Sequence, residues 1–285
     1  MDDDVRTPAM TDESPLAIHH SSDQLEARGS WLRSIGVDPV ELAGKVIVAA
    51  AYKGGVGKTF LAYELAYMLG GILVDLDWDM GNASRAWGFR EESRKGAPLL
   101  DAFETGRTPR PIAGGPWRAD LVPCHTDFAE NQPSADDVGT AIERWAAEWA
   151  ITYKCPVVVD THPGAGPSTF GAVSAAHRIV VPVVLGEREM EALDGMVRDL
   201  KSHPLLLVPN KVGISPPGRY IDRLAHIAQG AGVPVGPVIG KYDWLTTRSR
   251  RMAISASDPV PARAVSLIDE VHRVGKVVVD HVLAA

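Results

Sequence analysis

Lys53-Gly54-Gly55-Val56-Gly57-Lys58-Thr59 is the stretch of this 285-residue chain whose residue types and spacing could do chemistry. Its glycines let the backbone wrap an anion without Cβ clashes, Lys58 can reach the β and γ phosphates of a nucleotide, and the Thr59 hydroxyl can ligate Mg²⁺. The apolar run Val46 to Ala51 precedes the loop, and the helix-like stretch Leu61 to Leu69 follows it. A strand turning into a helix N-terminus gathers backbone N–H groups and the helix dipole on one anion. A chance Gly-Lys-Thr in a glycine-rich turn would lack those flanks.

Carboxylates fall at two later strand ends. The run Ile72-Leu73-Val74-Asp75-Leu76-Asp77-Trp78-Asp79 places three of them at alternate positions, and continued extension would turn all three to one side. Such charges repel unless a cation, a lysine or hydrogen-bond donors offset them. Val157-Val158-Val159-Asp160 is an apolar strand ending in a carboxylate, which fits the acidic partner of Mg²⁺ in phosphate-loop enzymes. Asp79 is expected to cap the following turn rather than to catalyse. His162 stands either as an influence on switching or as a residue tolerated in a small gap, the second reading being favoured, and the histidines show no metal-ligand spacing.

The first glycine of the pattern G-x-x-x-x-G-K-[ST] is replaced here by Tyr52, and Lys53 follows it. This departure resembles the deviant Walker A motif, KGGVGKT, of the ParA/MinD family of partitioning and positioning ATPases. The resemblance implies that Gly54, Gly55, Val56, Gly57, Lys58, Thr59 and Phe60 cradle ATP, with Thr59 and Asp160 holding Mg²⁺. It also implies that Lys53 crosses the interface of an ATP-sandwiched homodimer to the partner's nucleotide, where a buried triphosphate needs more positive charge than one lysine supplies. Asp77 matches the aspartate that positions the attacking water, with Asp75 supporting the Lys58 and Mg²⁺ region. Trp78 and Asp79 stand where the family has Pro-Gln, and His162 interrupts the usual DTPP. Asn210, after Leu207-Val208-Pro209, occupies the place where relatives contact adenine. Val180 to Val183 and Glu187 to Gly195 look like the strand and loop that face the dimer partner.

Stepping to the rest of the chain, hydrophobic residues make up 45% and charged residues 23%, ordinary for a globular protein. No apolar run is long enough to span a membrane and no basic-then-apolar leader opens the chain, so a cytoplasmic protein without a membrane partner is expected. Cys124 and Cys155 lack C-x-x-C spacing and read as packing residues. The net charge of −7 is uneven: residues 1–44 hold nine acids against three bases, whereas residues 205–251 hold seven bases against two acids. An anion-binding face is thus compatible with an acidic total.

Short β-branched runs alternate with helical stretches from Lys45 onward, predicting an α/β fold with a mostly parallel central sheet and helices on both faces. Strands are expected at Val46 to Ala51, Ile72 to Leu76, Leu121 to Cys124, Val157 to Asp160, Ile179 to Leu185, Leu205 to Pro209 and Val233 to Ile239. Helices are expected at Leu61 to Leu69, Ala135 to Trp149, Glu189 to Leu200, Arg219 to Gln229 and Val260 to Leu283. Residues 1–44 read as an acidic extension, disordered at first and then helical from Asp23, and residues 45–285 as one phosphate-loop ATPase domain.

Lys241, Arg248, Arg250 and Arg251, among hydroxyls and beside Trp244, could hold DNA phosphates without reading bases. The family resemblance then implies an ATP-dependent dimerising switch on nonspecific DNA, associated with the nucleoid. Slow ATP hydrolysis, stimulated by a ParB-like centromere-binding protein, would drive partition of plasmid or chromosomal DNA. The alternative is a MinD-like positioning ATPase acting on a membrane or protein assembly. The last helix carries Leu267, Val271, Val274, Val278 and Val282 on one face with mixed charges opposite, which reads as a core-packed helix rather than a basic membrane anchor.

Overall fold

The computed structural model describes residues 29–79, 82–91, 98–248 and 251–284. Readings that fall on residues 1–28, and the one on Arg250, lie outside the described residues. The β-branched runs fold as β1 (Val46–Ala49), β2 (Ile72–Leu76), β3 (Asp120–Val122), β4 (Val157–Thr161), β5 (Arg178–Val183) and β6 (Leu205–Pro209). They pair in parallel in the order β3-β2-β4-β1-β5-β6. Apart from Arg178 at the edge of β5, every strand residue is buried, as a parallel sheet covered on both faces requires.

The described helices are α1 (Ser30–Ser34), α2 (Lys58–Met68), α3 (Ala83–Trp87), α4 (Pro98–Thr105), α5 (Ala135–Thr152), α6 (Pro167–Ser174), α7 (Glu187–Leu200), α8 (Gly218–Ala231) and α9 (Val265–Leu283). Side chains alternate across a strand, so the sheet feeds two cores. Val48, Val74 and Val159 enter one, with Trp145 of α5, Met190 of α7 and Leu224 of α8. Ile47, Leu73 and Val158 enter the other, with Leu61 and Leu65 of α2 and Val271, Val274 and Val278 of α9. Leu32 and Leu42 are fully buried in this second core, so residues 29–44 pack on the nucleotide-binding body. A Cβ on Gly275 would lie 2.7 Å from Met68 and 2.9 Å from Trp31, which shows how tightly α9 seats against α1 and α2.

Two expectations are corrected. Val233 to Ile239 makes only an isolated parallel bridge between Leu207 and Val235, not a seventh strand. Pro234 and Pro237 lack the N–H groups a ladder needs, although Gly236 and Ile239 still donate to Leu207 and Pro209. The last helix begins at Val265 rather than Val260, because Pro259 and Pro261 hold the chain in a non-helical approach that closes in the 3₁₀ turn Ala262–Ala264. Its expected apolar stripe is buried from Leu267 to Val282. No helix among the described residues is long and apolar enough to cross a membrane.

From β1 the chain crosses to β2 on one side, and from β4 it returns to β5 on the other. That reversal opens a crevice at the carboxyl ends of β1 and β4, where ligands of open α/β sheets sit.

Candidate functional site

The loop 53–59 leaves β1 directly into this crevice. Gly57 precedes α2 with φ 104°, a left-handed conformation that frees the first N–H groups of the helix to face an anion. A Cβ at Gly57 would collide with the side-chain amide of Asn210. Asn210, at the carboxyl end of β6, donates from Nδ2 to the Val56 carbonyl at 2.8 Å, and its Oδ1 accepts the Lys211 N–H at 2.9 Å. Lys211 in turn donates from Nζ to the Gly55 carbonyl at 2.6 Å. The loop is therefore braced from behind by two consecutive residues, and Asn210 keeps one amide hydrogen and one carbonyl lone pair for a base edge.

Lys58 is buried at the start of α2. Burial lowers its pKa, and the charges of Asp160, Asp77 and Asp79 oppose that shift. Asp160, next to last in β4, has no exposure, and neither carboxylate oxygen makes a hydrogen bond of good geometry. Burial pushes its pKa up to about 7, against the opposing pull of Lys58 and of the nearby Thr59 hydroxyl. A fully buried carboxylate with both oxygens unpaired, next to a hydroxyl, is a donor set that suits a hard divalent cation, so these residues fit Mg²⁺.

Extension does not continue through the three carboxylates after Val74. Asp75 Oδ1 accepts the Asp77 N–H at 3.0 Å, and Asp77 Oδ1 accepts the Asp79 N–H at 3.0 Å, so the chain coils into successive side-chain turns. Asp75 is held by Ser84 as well: its Oδ2 accepts from Ser84 N at 2.7 Å and Ser84 Oγ at 2.5 Å. Ser84 Oγ also accepts from Cys124 N at 3.0 Å, which ties the ends of β2 and β3 to α3. Asp75 thus forms a structural clamp while standing in register with Asp160, whose charge acts on Lys58. Burial and the neighbouring Asp160 raise the Asp75 pKa well above the carboxylate range. Asp77 is nearly buried and its pKa is raised by desolvation, with the Asp79 N–H, His162 and Lys58 pulling it back.

Asp79 does not simply cap its turn. Its Oδ2 lies 3.2 Å from His162 Nε2, and the His162 ring stacks on Trp78 with centroids 3.8 Å apart. The three residues that depart from the family pattern are therefore in contact with one another.

A cavity of about 880 Å³ opens in front of the loop, bordered by Lys58, Thr59, Asp77 and Asn210 and continuing to Lys241, Arg248 and Arg251. Lys241, Arg248 and Arg251, three of the residues singled out for DNA, share the chamber of the phosphate loop. Lys241 pairs with Asp243 at 3.2 Å, and Arg248 donates to the Met252 carbonyl at 2.8 Å. Lys53 is half-buried beside Val183 and Glu189 and makes no hydrogen bond or ion pair with another described residue. Sequence reasoning missed Glu64, a buried carboxylate that borders the cavity. Its signal was a lone acid in the otherwise apolar turn Leu61 to Ala66.

A parallel sheet in this order, with a glycine loop at the end of β1 and an unpaired carboxylate at the end of β4, defines a phosphate-loop nucleotide-binding protein. Residues 47–251 match the CobQ/CobB/MinD/ParA nucleotide binding domain, and the chain belongs to this family as a ParA/MinD-type ATPase. It is 31% identical over 195 residues to the chromosome-partitioning ATPase Soj of Thermus thermophilus, covering 65% of this chain and 70% of that one. With the chromosome partitioning protein ParA of Myxococcus xanthus it shares 27% over 190 residues, and the match spans 61% of each chain. Among solved structures, the ATP complex of a McdA variant from Cyanothece superposes with a TM-score of 0.65 over 83% of this chain and 95% of that one, at 15% identity, a likeness of fold.

Proposed function

We propose that the chain is an ATP-dependent dimerising switch that binds nonspecific DNA and hydrolyses ATP to drive partition of plasmid or chromosomal DNA. The observation that carries the reading is Lys53, a second loop lysine beside Val183 and Glu189 without an ionic partner among the described residues. A cation so placed is available to the phosphates of a second copy of the chain. The partitioning names of the Thermus and Myxococcus relatives point the same way.

In this reading the N–H groups at the start of α2 and Lys58 hold the β and γ phosphates. Thr59 and Asp160 hold Mg²⁺, which when bound neutralises charge developing on the phosphates. Asp77 orients the attacking water, its carboxylate fixed by the Asp79 N–H. Asn210 meets the adenine edge with its remaining amide groups. Lys241, Arg248 and Arg251, together with Arg250, hold DNA phosphates, and a ParB-like protein accelerates hydrolysis at the nucleoid.

The test is binding of nonspecific duplex DNA with ATP, ADP or no nucleotide across a salt series, comparing wild type with an Arg248→Ala/Arg251→Ala variant. Because these arginines border the nucleotide chamber, nucleotide affinity is measured in parallel. ATP-selective, salt-sensitive DNA binding that the variant loses at unchanged nucleotide affinity supports the reading. Absence of DNA binding in every nucleotide state overturns it in favour of a protein or membrane cargo.

A further inference from the structure

We propose that Asp77, Asp79 and His162 form a second cation site, for a borderline divalent metal such as Zn²⁺, separate from the Mg²⁺ position at Thr59 and Asp160. One ligand atom from each of the three lies within 4.8 Å of the others. The edge between Asp79 Oδ2 and His162 Nε2, 3.2 Å, matches the separation of two ligands each about 2.1 Å from a shared metal. The site joins the loop after β2 to the loop after β4, so it exists only in the folded chain.

Its parts are positioned rather than merely near. The Trp78 indole lies within 5° of parallel to the imidazole of His162 and fixes the ring with Nε2 toward Asp79. Asp77 is held by the Asp79 N–H through Oδ1, which leaves Oδ2 for a ligand. Asp79 is 63% exposed, so water can complete the coordination shell. One imidazole nitrogen with two carboxylates suits Zn²⁺, Mn²⁺ or Co²⁺, whereas Mg²⁺ prefers oxygen donors alone. The Lys58 charge acts against a cation here and the two carboxylates act for it. A metal on Asp77 would withdraw that carboxylate from orienting water and so arrest turnover. That consequence rests on the proposed ATPase mechanism; the binding itself does not.

The experiment is calorimetric titration of Zn²⁺ into the nucleotide-free chain with Mg²⁺ in excess, repeated on Asp79→Asn and His162→Gln. The Co²⁺ visible spectrum serves as a second readout, and circular dichroism verifies folding. One saturable Zn²⁺ equivalent is expected, weakened at least about tenfold in each variant, with the Co²⁺ bands lost in His162→Gln. No saturable Zn²⁺ binding, or equal affinity in wild type and both variants, overturns the proposal. Should His162→Gln unfold through loss of the Trp78 stack, the exposed Asp79→Asn decides alone. Mg·ATP affinity of the wild type is measured separately, and its absence would overturn the ATPase reading without changing the Zn²⁺ result.

Discussion

Glu64 and Ser255 are joined by two hydrogen bonds across 191 positions of sequence: the Ser255 N–H donates at 3.0 Å and its Oγ at 2.8 Å to one carboxylate oxygen. The other oxygen of Glu64 accepts the Ile254 N–H at 2.6 Å. Helix α2, which starts in the phosphate loop, thereby holds the segment that forms the far wall of the nucleotide chamber. Burial raises the Glu64 pKa even though these donors and Arg248 oppose the shift.

Replacing Glu64 by Ala leaves three donors without their acceptor. Glu64→Ala is expected to lose about 3 kcal/mol of stability and Glu64→Gln about 1–2 kcal/mol, because the amide retains one acceptor oxygen. Urea unfolding of both variants beside wild type measures this. Equal stability of all three would remove Glu64 as the clamp.

Asp160 gives a pH dependence with a definite sign. Its folded-state pKa is raised from 3.8 to about 7. Between those values the folded chain keeps a proton that the unfolded chain has lost, so stability falls as pH rises through the window. In EDTA and without nucleotide, Asp160→Asn should therefore gain stability over wild type near pH 8 and little near pH 4, while losing Mg²⁺-dependent ATP binding. Asp75, raised by burial as well, leaves the variant with a reduced slope. Thermal melts at the two pH values provide the check.

Lys53→Ala should retain ATP binding to one subunit and lose the ATP-bound dimer. Light scattering with a non-hydrolysable analogue reads the mass directly. A variant that dimerises as wild type does would overturn the role given to this lysine.

Asp77→Ala should lower ATP turnover by about 10²-fold or more and trap the ATP-bound dimer. Unchanged single-turnover hydrolysis would take Asp77 out of the mechanism.

Gly57→Ala should abolish nucleotide binding. The residue sits at φ 104°, and its new Cβ would strike the Asn210 amide, so the loop must move off its brace. Equilibrium dialysis with labelled ATP tests this, with unfolding curves to separate loss of binding from loss of fold.

Much of this is legible in the amino-acid sequence. Ile72 to Leu76 and Leu205 to Pro209 are the observed strands to the residue, because unbroken β-branched and leucine runs bounded by Gly71 and Asn210 leave little choice of ends. Val233 to Ile239 misled because composition speaks for side chains, while its two prolines remove backbone donors. The contact of Asp79 with His162 joins residues 83 apart, and the Glu64 clamp joins residues about 190 apart. Local pattern carries no information about either pairing; both follow from the order in which β2, β4 and α2 come together. Asp75 illustrates the same limit. Its type and position point to the metal region, where it stands in register with Asp160, but its hydrogen bonds to Ser84 nine positions on are not written in the strand pattern.

The single chamber shared by the phosphate loop and by Arg248 and Arg251 has a thermodynamic consequence. An anion held by those arginines and a nucleotide held by the loop act on one field and one set of walls, so neither binds independently of the other. By linkage, whatever factor the nucleotide imposes on the affinity of the second ligand, the second ligand imposes on the nucleotide. If the arginines hold the proposed cargo, the factor by which cargo changes the ATP-to-ADP affinity ratio at the loop must equal the factor by which ATP, relative to ADP, tightens cargo.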